Sequence, residues 1–502
     1  MPLQLLEQLE RHARERPDTV AWSVANAERL SYTWSELHAG TSLLAERLVR
    51  DASPGDVLLI CCSNRPEFVV AFLAGLAAGL RVFPVSPGLT PAELAAAATQ
   101  SAARLAVATP EAQAALRGLR IGMIPVDELS APRGNGVPVS ANAAITAITP
   151  STRGPAVRPV NEGGLLLQSS GTTGLPKIVF RNAASLDAVA AAMAAAIDFR
   201  PGDRVLSCVP LCHSYGIEHG LLAPLWAGSS VRLCQGFDLP TVMAELDAGA
   251  TIFPGVPFIY ETLARQAAGK RYPHLRAAYS AGGPLPDAVR DACRESLGLV
   301  VTQLYGATEI GSVTYSDPRK EGFNPGSVGR AMAGVVVRIL PVDATTADNS
   351  LPPMAEGQVA VKAGSMFAGY LDGSSAPLLD GYFVTGDLGH LDAVGNLTLT
   401  GRLKLLIDVA GLKVNPLEVE AVLAEHPAVA ASVVVSLPVT QTVSRLKAIV
   451  VRRPGSNAGG EEIRQFLRGR LAAYKVPRVV EFREALPRSA AGKVLRQQVE
   501  ES

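Results

Sequence analysis

The chain lacks the features that define several classes of protein. Its six cysteines are sparse among 502 residues and irregularly spaced, so the sequence indicates neither a disulfide framework nor a zinc site, and we expect buried, neutral thiols. Lys+Arg and Asp+Glu both number 46, which disfavours nucleic acid as the main partner because such binding usually requires a basic excess. The longest apolar stretch, residues 68–80, is too short to cross a bilayer.

The first nine residues lack the basic start and apolar core of a secretory signal. Together with the sparse cysteines, this predicts a cytoplasmic protein without a membrane span. The alanine-rich composition, in which arginine outnumbers lysine, favours a bacterial source. The oligomeric state is left open, with a homodimer as one option.

A chain of this length with 48 % hydrophobic residues predicts two or more domains, each with a filled core. Thr33 and Glu36 have the spacing of a capping box at a helix start. Strand-like and helix-like segments then alternate at residues 57–62, 66–78, 81–85, 91–102, 105–108 and 121–126. Such alternation predicts an α/β fold with a parallel sheet and crossover helices.

The later segments predict three further regions. Residues 130–164 are rich in Pro, Gly, Ser and Asn and should form an extended connection. A second α/β stretch covers 165–331, and short strands at 335–340 and 358–361 indicate a β-rich subdomain. After Arg402 the pattern is that of a small α+β domain, with predicted elements at 416–425, 431–436, 446–451 and 461–474. We place the boundary at Lys404, which gives an N-terminal domain of 1–403 and a C-terminal domain of 404–502.

The segment 165–177, Leu-Leu-Leu-Gln-Ser-Ser-Gly-Thr-Thr-Gly-Leu-Pro-Lys, runs from an apolar strand into a loop rich in hydroxyls and glycines. Gly171 and Gly174 allow the backbone to turn N–H groups toward an anion, and Lys177 adds a positive charge. The spacing is not that of the common nucleotide-binding P-loop. Taken alone, the loop is equally consistent with an ordinary surface connection.

With four further motifs in order, this segment resembles the signature of the adenylate-forming superfamily, which includes acyl-CoA and aryl-CoA ligases, nonribosomal adenylation domains and luciferases. The resemblance covers nearly the whole chain and is strongest to acyl-CoA ligases. The further motifs are Tyr305-Gly306-Ala307-Thr308-Glu309, Thr385-Gly386-Asp387, Gly401-Arg402-Leu403-Lys404 and the segment 487–493 that ends in Lys493.

The resemblance implies an enzyme that uses ATP and Mg²⁺, with roles for particular residues. It assigns the β/γ phosphates of ATP to the loop, namely Ser169, Ser170, Gly171, Thr172, Thr173, Gly174 and Lys177. It assigns adenine to Tyr305, Gly306, Gly282, Gly283 and Pro284, the α-phosphate to Thr308, Mg²⁺ to Glu309, and the ribose to Asp387 and Arg402. Lys493 would be the catalytic lysine that the small domain delivers.

A second set of residues is implied for the acid and for the thiol. The acyl pocket would be lined by His213, Tyr215, Gly216, Glu218, Val256, Phe258, Ser280, Gly282 and Gly306, with His213 beside the acyl carboxylate. Rotation of a mobile small domain about Lys404 would replace Lys493 by the segment Ala410, Gly411 and Leu412, along which the arm of CoA would pass. For Gly411, an ordinary turn is an equally good interpretation.

These motifs predict an acid–thiol ligase that converts a hydrophobic aryl, fatty or polycyclic acid to an acyl adenylate and then to an acyl-CoA. A free α-amino acid is disfavoured, since no aspartate occupies the position that would bind its ammonium, although Glu218 remains a candidate partner for a more distant amine. Ile178 stands where the family usually has glycine, and its β-branch would stiffen a phosphate loop. One alternative is therefore an enzyme that only thiolates a preformed adenylate. Independently of Ile178, a ligase that loads an acyl carrier protein and a catalytically silent nucleotide-binding or regulatory protein are further alternatives, and the presence of Lys493 disfavours the last.

Overall fold

The structure is a computed structural model that describes residues 3–25, 27–129, 162–169, 177–405, 407–409, 412–438, 444–471, 473–488 and 494–500. Its α-helices are α1 (Gln4–Glu15), α2 (Trp34–Asp51), α3 (Pro66–Ala77), α4 (Pro91–Gln100), α5 (Pro110–Leu116), α6 (Ala183–Ile197), α7 (Ser214–Ile217), α8 (Ala223–Ala227), α9 (Leu239–Asp247), α10 (Pro257–Gln266), α11 (Asp287–Leu297), α12 (Pro416–Ala424), α13 (Gly460–Arg468) and α14 (Arg496–Glu500). One π-helical turn, Glu218–Leu222, joins α7 to α8, and short 3₁₀ turns cover Val126–Leu129, Leu403–Leu405 and Ala473–Lys475.

The strands are β1 (Val20–Val24), β2 (Ala27–Thr33), β3 (Val57–Cys61), β4 (Arg81–Pro84), β5 (Ala103–Ala108), β6 (Gly122–Pro125), β7 (Gly164–Gln168), β8 (Ile178–Asn182), β9 (Arg204–Ser207), β10 (Ser230–Leu233), β11 (Ile252–Gly255), β12 (Ala277–Ser280), β13 (Val301–Ala307), β14 (Gly311–Tyr315), β15 (Arg330–Ala331), β16 (Val335–Leu340), β17 (Gly357–Ala363), β18 (Gly369–Tyr370), β19 (Leu378–Leu379), β20 (Tyr382–Leu391), β21 (Leu397–Arg402), β22 (Ile407–Val409), β23 (Leu412–Val414), β24 (Val429–Pro438), β25 (Ser444–Arg452) and β26 (Val479–Arg483).

The chain divides into two compact units, residues 1–336 with 362–377, and residues 337–361 with 378–502. The first unit contains a sheet ordered β15-β14-β13-β12-β11-β9-β10-β1-β2 and another ordered β18-β8-β7-β4-β3-β5-β6. The strands from β13 to β1 in the first sheet, and from β7 to β6 in the second, are parallel. Strand β3 is buried along its whole length, as expected for a parallel strand covered on both faces.

The second unit is richer in antiparallel strands. Strands β16, β17, β20 and β19 form one sheet, to which β21 is added beside β20, and β24, β25 and β26 form another. An apolar cluster in this second sheet and its helices includes Val419, Leu446 and Ile463. No helix among the described residues is both long and apolar enough to cross a membrane.

Most predicted elements are present with small changes at their ends, and the fold-class prediction of a mixed α/β chain is confirmed. Thr33 and Glu36 form the predicted capping box, with Glu36 N donating to Thr33 Oγ1 at 3.2 Å and Thr33 N donating to the Glu36 carboxylate at 2.8 Å. The helix predicted for 461–474 is wrong in length, because α13 ends at Arg468 and Gly469 follows, a residue with low helix propensity. The predicted connection falls almost entirely on 130–161, outside the described residues, and the domain boundary at Lys404 stays a prediction.

Candidate active site

The segment predicted to bind phosphate is flanked by an antiparallel strand pair. Gln168 at the end of β7 lies opposite Ile178 at the start of β8, and Ser169 N donates to the carbonyl oxygen of Lys177 at 2.8 Å. The loop members Ser170, Gly171, Thr172, Thr173 and Gly174 lie outside the described residues. Ser169 and Lys177, the first and last predicted phosphate ligands, are therefore held at adjacent positions.

The concern that Ile178 stiffens this loop is not supported by its position. Ile178 is the first residue of β8 rather than part of the loop, and its side chain is buried in an apolar cluster with Leu166 and Phe180. A β-branched residue packs well in a strand. The isoleucine at this position therefore contributes to the packing of the β7–β8 hairpin.

Lys177 and Glu309 are brought to the same tyrosine, Tyr370, which the sequence reasoning missed. The ammonium of Lys177 lies 4.4 Å from the centre of the Tyr370 ring and donates to Ser374 Oγ at 3.1 Å. The hydroxyl of Tyr370 donates to Glu309 Oε1 at 3.2 Å. No sequence motif marked Tyr370, because only the pairing of β18 with β8 places it beside the loop.

Two of the predicted nucleotide segments meet at one edge of the large parallel sheet. Strands β12 and β13 are parallel neighbours, with Ser280 opposite Gln303, so the segments that follow them share the carboxyl edge of the sheet. This edge carries Gly282, Gly283 and Pro284, all exposed, together with the exposed Gly306 and the buried Tyr305. Ligands in open α/β sheets bind at this edge.

Two residues at that edge have unusual local features. The Oγ atom of Ser280 is buried and has no hydrogen-bond partner among the described residues, and such buried hydroxyls normally have one. Gly282 has a φ of 81°, a conformation that L-residues with a side chain rarely adopt. Thr308 and Glu309 follow β13 and are half-buried.

The predicted acyl-pocket residues come from α7 and from the end of β11. His213 precedes α7 and is exposed, while the protein on its other side desolvates the ring and lowers its pKa. Tyr215 donates to the carbonyl oxygen of Gly255 at 3.0 Å, which ties α7 to β11. Gly216 is required by close approach, because a Cβ there would lie 2.0 Å from the carbonyl oxygen of Pro210.

Val256 and Phe258 follow β11 and form an apolar, accessible surface. Phe258 is 46 % exposed, and its ring meets Phe237 edge-on with the centroids 5.5 Å apart. A Cβ built on Gly282 would lie 3.8 Å from Val256, so this surface adjoins the nucleotide edge. The sequence reasoning missed Phe237, which is separated from Phe258 along the chain by α9 and β11.

Glu218 is engaged in a buried ion pair and is not available to bind an amine. Its carboxylate lies 2.5 Å from the guanidinium of Arg181, and the two side chains are 1 % and 0 % exposed. Ser312 donates to the other carboxylate oxygen from its backbone N at 2.9 Å and from its hydroxyl at 2.6 Å. The alternative role for Glu218 is therefore wrong, because burial requires that its charge be compensated within the protein.

His219 continues this polar network in the neutral state. Ser312 Oγ already donates to Glu218, so the Nε2 atom of His219 donates to Ser312 at 3.2 Å, while Nδ1 accepts from the hydroxyl of Tyr279 at 2.7 Å. Burial holds the pKa of His219 well below its usual range, which agrees with one protonated ring nitrogen. The buried network of Glu218, His219 and their partners therefore contains only neutral side chains and one compensated ion pair.

In the second unit, Asp387 and Arg402 lie directly opposite each other on β20 and β21. Arg402 Nε is 3.4 Å from Asp387 Oδ1, and Asp387 N donates to Thr385 Oγ1 at 3.1 Å. The Nε atom of Arg402 is buried without a hydrogen-bond partner among the described residues. Strand register thus joins two residues, 15 positions apart, that were predicted to share the ribose.

The predicted hinge and thiol segment are only partly described. Lys404 lies in the 3₁₀ turn after β21, and Leu412 begins β23, whereas Ala410 and Gly411 lie outside the described residues. Lys493 also lies outside them. The described residues on either side of it, Arg488 and Val494, form an isolated antiparallel bridge.

The six cysteines are buried thiols, as predicted. All six cysteines are free and buried, and burial raises the pKa of Cys212 to about 12. Within the described ranges, no group of three or more His, Cys, Asp or Glu side chains is arranged to hold a metal ion. A metal at Glu309 would therefore take most of its ligands from substrate or water.

Two family models match the chain. That of the AMP-binding enzymes matches residues 9–371, and that of the AMP-binding enzyme C-terminal domain matches residues 418–493. The chain belongs to the AMP-binding enzyme family. The prediction of an adenylate-forming enzyme related to acyl-CoA ligases is confirmed.

Similar proteins agree with this assignment over their full length. The chain is 31 % identical to the oxalate–CoA ligase of Arabidopsis thaliana, over 97 % of this chain and 96 % of that protein. It is also 32 % identical to a CoA ligase of Mycobacterium tuberculosis that is named for a methyl-dioxo-octahydroindenyl propanoate. That match covers 98 % of this chain and 97 % of the relative. The structure resembles the crystal structure of ATP-bound MatB from Rhodopseudomonas palustris with a TM-score of 0.87 and 26 % identity, covering 100 % and 99 % of the two chains.

Proposed function

We propose that this enzyme activates a hydrophobic monocarboxylic acid with ATP and Mg²⁺ and transfers the acyl group to CoA. The observation that carries the proposal is the meeting of Lys177 and Glu309 at Tyr370. A cation suited to phosphates and a carboxylate suited to a metal ion thus contact the same tyrosine side chain. The similarity to an ATP-bound structure and to CoA ligases supports the use of ATP and CoA, whereas the proposed class of acid is argued from the pocket residues alone.

In the first step, an oxygen of the acid attacks the α-phosphorus, a bond from that oxygen to phosphorus forms, and the bond to pyrophosphate breaks. A carboxylate is ionised at neutral pH, so the step needs no general base. Positioning and charge neutralisation supply the catalysis. In the proposal, Lys177 and the loop hold the leaving phosphates, Thr308 contacts the α-phosphate, and Lys493 neutralises the charge that develops at phosphorus.

In the second step, the thiol of CoA releases its proton to water and its sulfur attacks the acyl carbon. A bond from sulfur to that carbon forms, and the bond between the acyl carbon and the phosphate oxygen breaks, so AMP leaves. The proposal assigns the hinge to Lys404, the small domain to 404–502 and the thiol path to the segment that contains Ala410, Gly411 and Leu412. His213 would lie beside the acyl carboxylate. Desolvation lowers the pKa of its ring, which disfavours a charged imidazolium at that position.

Mg²⁺ fits the residues present at Glu309. One oxygen of the carboxylate accepts from Tyr370, and the other remains for a cation. Mg²⁺ prefers oxygen ligands and keeps several waters, so one carboxylate plus substrate phosphates is a usual set of ligands. When bound, the ion would neutralise part of the phosphate charge.

The side chains around the proposed pocket favour an acid with one carboxylate and an apolar body. No lysine or arginine is present among the predicted lining residues, and the neighbouring Arg181 is fully neutralised by Glu218. A second carboxylate would therefore be buried without a counter-charge, which is costly. Phe258 and Phe237 instead offer an aromatic surface, as is typical of pockets for apolar ligands.

Two alternatives differ in one half of the reaction. An enzyme that only thiolates a preformed adenylate was suggested by Ile178, and the position of that residue in β8 weakens the suggestion. Loading of a carrier protein or binding of CoA could use the basic side chains on and just after β25, namely Arg445, Lys447, Arg452 and Arg453. Lys447 is paired with Glu481, Arg452 donates to Ala458, and Arg453 donates to Val429, and these contacts do not distinguish the two acceptors.

The test is pyrophosphate release by the full-length enzyme with a panel of acids, with and without CoA. The panel contrasts aryl, medium-chain and bicyclic monocarboxylic acids with dicarboxylic acids of matched size. We expect release with apolar monocarboxylic acids and acyl-CoA formation when CoA is added. No release with any acid, combined with acyl-CoA formation from a synthetic acyl adenylate, would establish the thiolation-only alternative instead.

A further inference from the structure

Tyr370 separates two side chains of opposite charge. The face of its ring contacts the ammonium of Lys177 at 4.4 Å from the centroid, and its hydroxyl donates to Glu309 Oε1 at 3.2 Å. All three side chains are half-buried, where attraction between charges is stronger than in bulk water. The motifs quoted in the sequence analysis contain Lys177 and Glu309 but not Tyr370.

The backbone holds Tyr370 in this place from both sides. Tyr370 lies opposite Val179 in the antiparallel pair of β18 and β8, and the flanking residues Ala368 and Leu371 each donate to β8 at 2.8 Å. Phe367 N donates to the carbonyl oxygen of Glu309 at 2.8 Å. The short strand therefore joins the stem of the phosphate loop to the segment that carries Glu309.

The chemistry of the tyrosine suits contact with both partners. An ammonium above an aromatic ring is attracted by the ring face and keeps its charge. The hydroxyl of Tyr370 donates to one oxygen of the Glu309 carboxylate at 3.2 Å, which leaves that carboxylate ionised. A direct pair of Lys177 and Glu309 would instead neutralise both groups before ATP or Mg²⁺ bound.

We propose that Tyr370 is a positioning residue that keeps Lys177 and Glu309 apart, leaving the ammonium for the terminal phosphates and the carboxylate for Mg²⁺. The inference rests on the proposed function of this site. It predicts that removal of the ring weakens binding of Mg·ATP but not of AMP, because AMP lacks the β and γ phosphates.

The experiment is calorimetric titration of the full-length protein with Mg·ATP and with AMP. Tyr370→Leu removes the ring and should raise the Kd of Mg·ATP at least tenfold, with the Kd of AMP within twofold of wild type. Tyr370→Phe keeps the ring and loses only the hydroxyl, so a rise of about two- to fivefold is expected. The matched control is Tyr382→Leu in the second unit, where the guanidinium of Arg338 lies 4.8 Å from the ring centre; it should leave both affinities unchanged.

An unchanged Mg·ATP affinity in Tyr370→Leu would overturn the inference. Equal weakening of Mg·ATP and AMP would overturn it as well, since that result indicates general damage to the fold. A different result would contradict the proposed function without deciding the role of Tyr370. Wild-type protein that binds Mg·ATP but releases no pyrophosphate with any acid would contradict adenylation, while the comparison of variants would still decide the role of Tyr370.

Discussion

Replacing Glu218 with glutamine should destabilise the first unit strongly, because the guanidinium of Arg181 would remain charged and fully buried. The two side chains are 1 % and 0 % exposed. Breaking a buried pair by removing one partner costs about 3–5 kcal/mol, most of which comes from the uncompensated charge. Glutamine can still accept from Ser312 N, which now donates at 2.9 Å, so we expect a loss near the lower end, about 3 kcal/mol.

A second substitution separates loss of the pair from loss of packing. In Arg181→Met combined with Glu218→Gln, no buried charge is left, so this double variant should be more stable than Glu218→Gln alone. Replacing both members of a buried pair is often nearly neutral. The matched control is Glu261→Gln, since Glu261 pairs with Arg265 at the surface with side chains 39 % and 68 % exposed. It should change stability by less than about 1 kcal/mol.

Urea unfolding followed by tryptophan fluorescence provides the assay. The three tryptophans of the chain, Trp22, Trp34 and Trp226, all belong to the first unit, and the first two are fully buried. The signal therefore reports the unit that contains the ion pair. Two results would refute the reasoning. One is a free energy of unfolding for Glu218→Gln within about 1 kcal/mol of the wild-type value, and the other is a double variant that is less stable than Glu218→Gln.

Three further outcomes are expected. Lys493→Ala should reduce acyl-adenylate formation by about two to three orders of magnitude while sparing thiolation of a supplied adenylate, as single-turnover assays would measure; equal loss of both steps would contradict separate roles for the two conformations. Asp387→Ala should raise the KM for ATP at least tenfold with an unchanged unfolding midpoint, whereas an unchanged KM would remove the residue from the ribose site. Burial lowers the pKa of His12 to about 4, below its value in the unfolded chain. The contribution of neutral His12 to the free energy of unfolding is therefore complete above about pH 6.5 and is lost as the pH falls toward 4. His12→Gln should make the free energy of urea unfolding depend less on pH across that window, and a pH dependence equal to that of wild type would show that other groups are responsible.

Sequence patterns were most informative where local chemistry and motif order acted together. The capping box at Thr33, the apolar strand Val57–Cys61 and the helix that begins at Pro66 follow from spacing and side-chain type. Family motifs placed Asp387 and Arg402 in one site, and strand register sets them opposite each other. Element ends were less predictable, as α13 shows by ending before a glycine.

Pairings between distant segments were not predictable from local pattern. Ile178 was interpreted as a loop residue, yet its partner across the hairpin makes it a buried strand residue. Glu218 looked available for an amine, because nothing near it in sequence shows that Arg181 and Ser312 compensate its charge. Phe237 and Phe258 meet although a helix and a strand separate them along the chain.

The amino-acid sequence by itself determined the family, the α/β character and the chemical groups available for ATP, since each of these depends on residue types in a fixed order. Tertiary structure alone decided that Tyr370 lies between Lys177 and Glu309, because a two-residue strand must first pair with β8. It also decided that Arg181 and Glu218 neutralise each other. Electrostatic and packing energies depend on distances in space, and residues nearly two hundred positions apart become neighbours only when the sheets form.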